Sequence, residues 1–216
     1  MPPQINFTKD AILQEAFEIV RKEGQQALTA RRIAQRLNCS TQPIYSAFTS
    51  MKELTEAVRQ KAVEFGEQYL LQEELQAYPF LSIGLRYVRF AREERELFKM
   101  AYLSGNAMTK IQNAVPSFER FIERMRQEPV MRDLDDARLL RMLQAMQIFT
   151  HGLVMLLLTS EDETAQAFDE FAKQAMVQMG RAMIEWECLD QLRATKSQQL
   201  KELGVVNLAD CAPPRE

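Results

Sequence analysis

Two adjacent arginines, Arg31 and Arg32, stand in the predicted first turn of a short helix. That turn is the positive end of the helix dipole, where a basic side chain is disfavoured by a few tenths of a kcal/mol. A phosphate nearby would reverse this penalty, because it brings negative charge to the same end of the helix. We therefore predict phosphate contact for the pair, with plain solvated surface as the alternative.

A brief helix that follows carries polar side chains on several faces. Its inward pair is Ile44 and Phe48, one helical turn apart. The amide of Gln42 has the donor and acceptor needed to pair bidentately with adenine. The side chains left on the other faces, which need a partner outside the helix, are Thr41, Gln42, Tyr45 and Ser46.

Capping residues predict the helices that position these side chains. Thr8 as N-cap and Gly24 after a basic last turn predict a first helix from Lys9 to Glu23. Thr29 caps the second helix, and Asn38 predicts a tight turn after it because asparagine tolerates the left-handed conformation. Apolar stripes support both helices, Leu13, Ala16, Phe17 and Val20 on the first and Ile33, Ala34 and Leu37 on the second.

The third helix is predicted to begin at Ser40 or Thr41 as cap, with Pro43 in its first turn, where a missing N–H breaks no intrahelical bond. Two short helices joined by a three- or four-residue turn have the geometry that places the second helix in the DNA major groove. The residues expected to form a shared small core are Leu13, Phe17, Ile33, Leu37, Ile44, Phe48 and Leu54.

The segment LTARRIAQRLNCSTQPIYSAFTSMKEL resembles the N-terminal signature of TetR regulators, and the resemblance runs from about Phe7 to Val58. It implies a dimeric transcriptional regulator with a three-helix DNA-binding domain, followed by a larger helical domain for ligand binding and dimerisation. The matching positions are Thr29, Ile33, Ala34, Ser40, Tyr45, Phe48, Ser50 and Leu54.

The resemblance assigns roles by position. Tyr45 resembles the family's phosphate-contacting tyrosine, although its ring is also suited to packing beside Phe48 in the core. Met51 stands where the family has a lysine, and Lys52 is the substitute we expect. The family's usual residues also differ at Asn38, Gln42 and Ala47, so base preference does not follow from the resemblance. The predicted DNA-binding residues are Thr29, Arg31, Arg32, Ser40, Thr41, Gln42, Pro43, Tyr45, Ser46 and Lys52.

The composition predicts an all-α fold, because glycine (7) and proline (8) are few and strong helix formers are abundant. We predict a helix-turn-helix domain over 1–58, a helical ligand-binding and dimerisation domain over 59–205 and a loose tail over 206–216. A long helix after Ser50, with Leu54, Val58, Phe65 and Tyr69, joins the domains. The further predicted helices span 80–94, 95–104, 116–127, 136–159 and 165–187, with one more in the polar segment to about Leu203.

Charge is distributed unevenly between these domains. The whole chain carries −3, which by itself argues against a nucleic-acid partner. Residues 1–60 hold eight basic against six acidic side chains, and the remainder holds 19 against 24. The N-terminal domain is therefore the part suited to DNA.

Two long helices of the larger domain are predicted to form a dimer interface. Residues 139–158 are apolar on nearly all sides, as expected of a helix buried by its own domain and by a partner. A seam on the last helix has the alternating spacing of helix-on-helix packing, at Phe168, Ala172, Ala175, Met179, Ala182 and Trp186. We predict a four-helix interface from about 136–159 and 165–187 of two subunits, with packing inside one monomer as the alternative.

Aromatic residues and methionines of the larger domain are suited to an apolar ligand pocket or to plain core. Gln147 and His151, one turn apart, are the candidate polar groups, although a lone histidine in an apolar helix is more often part of the core. Phe149 to Gly152 also resemble the tryptophan-histidine-glycine signature of one TetR subgroup, with Thr150 replacing the tryptophan. The predicted ligand-binding residues are Tyr87, Phe90, Phe98, Tyr102, Phe121, Gln147 and His151.

Several classes of protein are disfavoured. Three scattered cysteines fit neither a disulfide framework nor a metal site and indicate a reducing cytoplasm. The N-terminus lacks the pattern of a secretory signal, and the apolar run 152–158 is too short for a membrane span. With one histidine, no Gly-rich phosphate loop and no nucleophile with a partner, we expect neither catalysis nor a cofactor.

The sequence thus predicts a cytoplasmic, homodimeric repressor that a small apolar effector releases from a palindromic operator. Two alternatives stay open at this point. One is a DNA-binding protein without an effector, which serves a structural or protein-recruiting role. The other is a helical carrier of apolar molecules whose helix-turn-helix no longer reads DNA.

Overall fold

A computed structural model of the chain describes residues 7–72, 78–103, 118–160 and 165–202, with side chains of the last segment from 167 to 187. Within these ranges the chain is all-α, as predicted. The predicted tail over 206–216 lies outside the described residues, as do 105–115 and 161–164 between the predicted helices. The helices are α1 (Lys9–Glu23), α2 (Ala30–Arg36), α3 (Gln42–Ala47), α4 (Met51–Leu70), α5 (Pro79–Glu93), α6 (Arg95–Phe98), α7 (Phe118–Met125), α8 (Asp136–Thr159) and α9 (Ala165–Glu202).

Helix α1 has the predicted bounds and caps. The Thr8 side chain accepts a hydrogen bond from Ala11 N at 3.1 Å, and Gly24 ends the helix with φ of +83°. Ile12 and Ile19 are fully buried besides the predicted stripe, whereas Leu13 is only half-buried. The reason is that α1 contacts α2, α3, α4 and α6, so more than one of its faces is covered.

Helix α4 runs without a break from the N-terminal domain into the larger one. Leu54 and Val58 are buried against the first domain, and Phe65 contacts both Phe17 (5.7 Å between ring centroids) and Phe90 (6.1 Å). A second junction joins Arg21 of α1 to Glu94, which precedes α6, by two hydrogen bonds. The predicted domain boundary after Val58 falls inside α4 and stays a prediction.

In the larger domain, α5 packs on α8 and α9, and α7 packs on α8. Helix α6 continues directly into a π-helical turn, Lys99–Leu103, at the place where the sequence predicted one helix over 95–104. One prediction was wrong: α9 is a single helix to Glu202, not a helix to 187 followed by another. The segment 188–202 contains neither glycine nor proline, so nothing there ends the helix.

The seam predicted on α9 divides between two faces. Phe168 and Ala172 are buried inside their own subunit, where α5 packs on the first turns of α9. Met179, Ala182 and Trp186 are exposed, Trp186 by 66%. Packing within one chain therefore explains the apolar residues at the start of the seam, Phe168 and Ala172. It leaves the residues from Met179 to Trp186 uncovered.

Helix α8 is likewise buried on one side only. Leu139, Met142 and Val154 lie in the core, while Ile148 is 74% exposed and Leu156 55%. Among the described residues, α8 is the helix long and apolar enough to cross a membrane by length and composition, with 33% of its most apolar window buried. Core helices of proteins in water meet the same criterion, and within the described residues α8 has one uncovered apolar face.

Candidate nucleic-acid interface

The turn between α2 and α3 is fixed by backbone hydrogen bonds. Thr29 caps α2 by accepting from Arg32 N at 3.1 Å. Cys39 N donates to Ala34 O at 2.9 Å, and Asn38 has a φ of 51°, the left-handed conformation that the sequence predicted. The two helices are thereby held as a helix-turn-helix.

The predicted cap of α3 differs from the structure. Thr41 occupies the N-cap position, but its side chain makes no capping hydrogen bond. Its backbone is already helical, with φ −75° and ψ −11°, whereas a side-chain cap forms from an extended conformation. Pro43 lies in the first turn as predicted. The Thr41 hydroxyl is therefore not used to begin the helix.

Helix α3 presents a polar surface on a buried base. Ile44 and Phe48 are 1% and 2% exposed, which confirms them as the inward pair. Tyr45 is 55% exposed, so the alternative that places its ring in the core is excluded. Gln42 and Ser46 are also exposed, and the Ser46 hydroxyl donates to Gln42 O at 3.0 Å.

The basic residues around α3 are not equivalent. Arg31, in the first turn of α2, and Lys52, in the first turn of α4, are exposed and have no ion pair among the described residues. Arg32 instead holds Glu23 through Nε (3.0 Å) and Nη2 (2.8 Å), which lowers the pKa of that carboxyl. Arg31 and Lys52 are the cations available to phosphate, and Arg32 first serves to join α2 to α1.

A capping network at the start of α4 escaped the sequence reasoning. Ser50 Oγ accepts from Glu53 N at 3.2 Å, and Glu53 Oε2 accepts from Thr49 N (2.8 Å) and Thr49 Oγ1 (2.7 Å). Lys9 Nζ donates to the other carboxylate oxygen at 3.1 Å and lies 4.6 Å from the centre of the Phe48 ring. Ser50 followed three residues later by Glu53 is the spacing of a capping box, so the signal was present in the sequence.

This network makes the N-terminal domain sensitive to acid. The Thr49 hydroxyl and amide, and then Lys9, lower the pKa of Glu53 from 4.5 to about 2. Because the folded-state pKa is the lower one, the network stabilises the fold above about pH 4.5 and is lost as the pH falls towards 2. We expect the free energy of unfolding to fall more steeply between pH 5 and 2 in the wild type than in Glu53→Gln, measured by urea denaturation. Parallel pH curves would contradict this role.

The model of the bacterial regulatory proteins of the tetR family matches residues 12–58, the span from α1 to Val58 of α4. Residues 12–58 are thus similar to the N-terminal region of tetR-family regulators. The match supports a DNA-binding transcriptional regulator, in which α3 is the second helix of the helix-turn-helix.

The TetR-like architecture extends beyond the DNA-binding domain. A crystal structure of a TetR variant from Acinetobacter baumannii AYE in complex with minocycline has a TM-score of 0.56 to this chain, with 17% sequence identity. The match covers 83% of this chain and 97% of that one. At this identity the likeness concerns the fold alone. Among curated proteins, none matches the chain.

The residues predicted to bind a ligand separate into two groups. The rings of Tyr87, Phe98 and Tyr102 lie 5.2 to 5.5 Å apart between centroids, and Phe90 and His151 join the same cluster. Tyr87 Oη lies 2.9 Å from His151 Nδ1. Burial raises the pKa of the Tyr87 hydroxyl and that of the Tyr102 hydroxyl. This group forms a closed aromatic cluster within the core.

The other group lines a cavity. Tyr87, Phe121 and Gln147 surround a space of about 50 Å³ between α5, α7 and α8. Gln147 and His151, predicted to converge, are thus separated, since His151 lies against the aromatic cluster and does not line this cavity. A drug-sized ligand needs several times this volume.

A larger cavity lies beside the first and was not predicted. It has a volume of about 520 Å³ and lies between the start of α5, the turn at 128–131 and α9. Phe80, Gly84 and Met146 line both cavities and thus separate them. Gly180 lines this cavity, and its missing side chain leaves part of the volume empty. An isolated glycine within a helical pattern is the sequence signal that could have indicated the cavity.

Proposed function

We propose that the protein is a cytoplasmic homodimeric repressor, which binds a palindromic operator through α3 and leaves it when a small effector binds the larger domain. The observation that carries the DNA-binding role is the exposed polar face of α3 above the buried Ile44 and Phe48. A helix held in this way inserts its polar face in the major groove without disturbing its own support.

Each side chain of the interface has a distinct role in this proposal. Arg31, Lys52 and the Tyr45 hydroxyl contact phosphates, which orient the domain, and Gln42 reads a base. The exposed Ser46 and the half-buried Thr41 and Pro43 shape the surface that enters the groove. Thr29, Arg32 and Ser40 act at the edge, since Thr29 caps α2 and Arg32 holds Glu23.

The phosphate and base roles predict different mutant behaviour. Tyr45→Phe should weaken binding to all DNA sequences alike, whereas Gln42→Ala should relax the preference at one base position, at a cost of about 1–3 kcal/mol on the preferred site. Competition titrations with single-base variants of the operator measure both effects. Equal effects of the two substitutions across these variants would contradict the assignment.

Dimerisation is proposed to cover the exposed apolar faces of α8 and α9, within 136–159 and 165–187. On α8 this face includes Ile148 and Leu156, and on α9 Trp186. The two faces adjoin, because Ala145 and Trp186 line a common groove of about 300 Å³. A two-fold interface of four helices removes both faces from water and sets the spacing of the two recognition helices.

An effector is proposed to act on the DNA-binding domain through α6, which connects the aromatic cluster to α1. Phe98 ends α6 and Tyr102 lies in the π-helical turn, while Glu94 at the other end of α6 binds Arg21. An effector that favours a different position of α6 therefore changes how the DNA-binding domain is held. The structurally similar TetR variant was crystallised with minocycline; this chain's effector is proposed to be largely apolar, as its core is.

Mobility-shift titration over a salt series tests the proposed function. We expect tight binding to a palindromic site, with affinity that falls steeply as salt rises, because phosphate contacts release counterions. Replacing both cations by neutral side chains, in Arg31→Gln, Lys52→Gln, should make the dependence of affinity on salt shallower by about four phosphate contacts, two from each subunit. Absent or salt-insensitive binding would exclude the repressor and favour the carrier.

A further inference from the structure

We propose that the 520 Å³ cavity is an effector site for an amphipathic anion, a molecule with an apolar body and one negatively charged head. The inference rests on the proposed function and specifies the chemistry of its effector. The volume lies within the range of small-molecule sites, which is roughly 300–1,000 Å³.

The apolar part of the cavity is formed by flexible and branched side chains. Met131, Met146 and Met176 contribute thioethers, and Val177 and Ile184 contribute branched side chains from α9. Methionine adapts to ligands of varied shape at low cost. This surface suits a hydrocarbon body and offers it no fixed polar pattern.

The charged part of the cavity is carried by α9. Lys173 and Arg181 line it from two turns of α9 on either side of Val177, and both are exposed. Neither has an ion pair among the described residues, because nearby Asp169 binds Arg92 at 2.6 Å and Glu170 binds Gln174 at 3.3 Å. Two cations without an ion pair in the described part of the chain, at the edge of an apolar cavity, favour an anionic head.

The acidic residue that lines the cavity, Glu128, already accepts a hydrogen bond from the backbone of α5. Glu128 is 8% exposed and accepts from Phe80 N at 2.7 Å, so its carboxylate serves as the N-terminal cap that Tyr78 does not supply to α5. The helix dipole of α5 further offsets this charge. An anionic head therefore lies at the α9 side of the cavity, away from Glu128.

The cavity remains accessible in the proposed dimer. Lys173, Val177 and Gly180 lie on the opposite side of α9 from Trp186, because residues of a helix repeat every 3.6 positions. Exposed side chains at the edge, Tyr78 and Val130, show that the cavity reaches the surface. Bound ligand contacts Phe80 and Met146, which also line the smaller cavity beside Tyr87.

Calorimetric titration of the full-length dimer with octanoate, octan-1-ol and octylammonium tests the head-group chemistry. We expect octanoate to bind about tenfold more tightly than octan-1-ol, and octylammonium to bind most weakly. Lys173→Gln, Arg181→Gln should remove the preference for octanoate, whereas the charge-preserving Lys173→Arg, Arg181→Lys should keep it. Equal binding of octanoate and octan-1-ol to the wild type, or no binding of either, would overturn the proposal.

A second variant tests the location. A Cβ at Gly180 meets no atom within 4 Å, so a side chain can be added there, and we expect Gly180→Leu to occupy part of the cavity and to favour the helix. We expect it to weaken octanoate and octan-1-ol alike, at least about tenfold, while Ala167→Leu at an exposed position of the same helix, outside the lining, has no effect. Unchanged octanoate affinity in Gly180→Leu would overturn the assigned site.

Operator binding is measured separately in the same preparations. Specific DNA binding together with a failed octanoate titration would overturn this inference and leave the repressor standing. Absent DNA binding would instead remove the proposed function, whatever the titration shows. Octanoate that binds the wild type and releases the operator, but does not release it from Lys173→Gln, Arg181→Gln, supports both.

Discussion

Ile148→Glu should convert the protein from a dimer to a monomer and lower its affinity for a palindromic operator at least about a hundredfold. Ile148 is 74% exposed in the single subunit and lies on the apolar face of α8. In the proposed interface, a carboxylate at this position is buried without a partner in each subunit, and each such burial costs several kcal/mol. Light scattering at micromolar concentration and mobility shift measure the two effects.

A matched substitution separates assembly from charge. Gln174→Glu adds the same negative charge to an exposed position of α9 away from the apolar face, and it should leave the dimer and the operator affinity unchanged. Binding of a single half-site by the Ile148→Glu monomer should match that of a wild-type subunit, because the helix-turn-helix is untouched. An Ile148→Glu protein that stays dimeric would place the interface elsewhere.

Phe48→Ala should lower the free energy of unfolding of the N-terminal domain by about 3–5 kcal/mol, because it removes a fully buried ring from a small core. The loss includes the contact of Lys9 with that ring, whose centre is 4.6 Å from Nζ. Guanidinium denaturation followed by circular dichroism measures the change.

Tyr45, an exposed residue three positions before Phe48, provides the control for the loss of stability. Tyr45→Ala should change the free energy of unfolding by no more than about 0.5 kcal/mol, since Tyr45 is 55% exposed. It should nevertheless reduce DNA affinity, which Phe48→Ala reduces only by unfolding the domain. Similar stability losses in the two variants would show that α3 is packed differently from the structure described above.

The helix-turn-helix was predictable because local signals and burial agree there. Thr8, Thr29 and Asn38 act within a few residues of their own helices, and each has the predicted role in the structure. The burial of Ile12 and Ile19 was not predictable from one apolar stripe, because it depends on how many helices contact α1. Helix caps depend on residues a few positions apart in the sequence, whereas the number of helices that contact α1 depends on tertiary packing.

The reading surface was predicted in outline only. The inward pair Ile44 and Phe48 determines which residues of α3 face outwards, so Gln42 and Tyr45 followed from spacing. The two adjacent arginines differ because Arg32 reaches Glu23 across the angle between α1 and α2, which periodicity within one helix does not contain. Arg31 lacks such a contact among the described residues.

The ligand-binding residues were the least predictable part. Aromatic composition identified Phe98 and Tyr102, and the one-turn spacing from Gln147 identified His151, but the rings of these three residues pack together in one cluster. The larger cavity lies between α9, the start of α5 and the turn at 128–131, where Gly180 contributes no side chain. Empty volume depends on how helices meet, and hydrophobic patterning does not encode that geometry.

The exposed Trp186 also has an optical consequence. It is the only tryptophan in the chain, and its indole is 66% exposed on the apolar face of α9. Tryptophan emission of the subunit therefore originates from one exposed indole, far along the chain from α3 and on the opposite side of α9 from the larger cavity. The chain thus carries an intrinsic fluorophore at the surface where two subunits are proposed to meet, so its emission wavelength reports directly on the hydration of that surface.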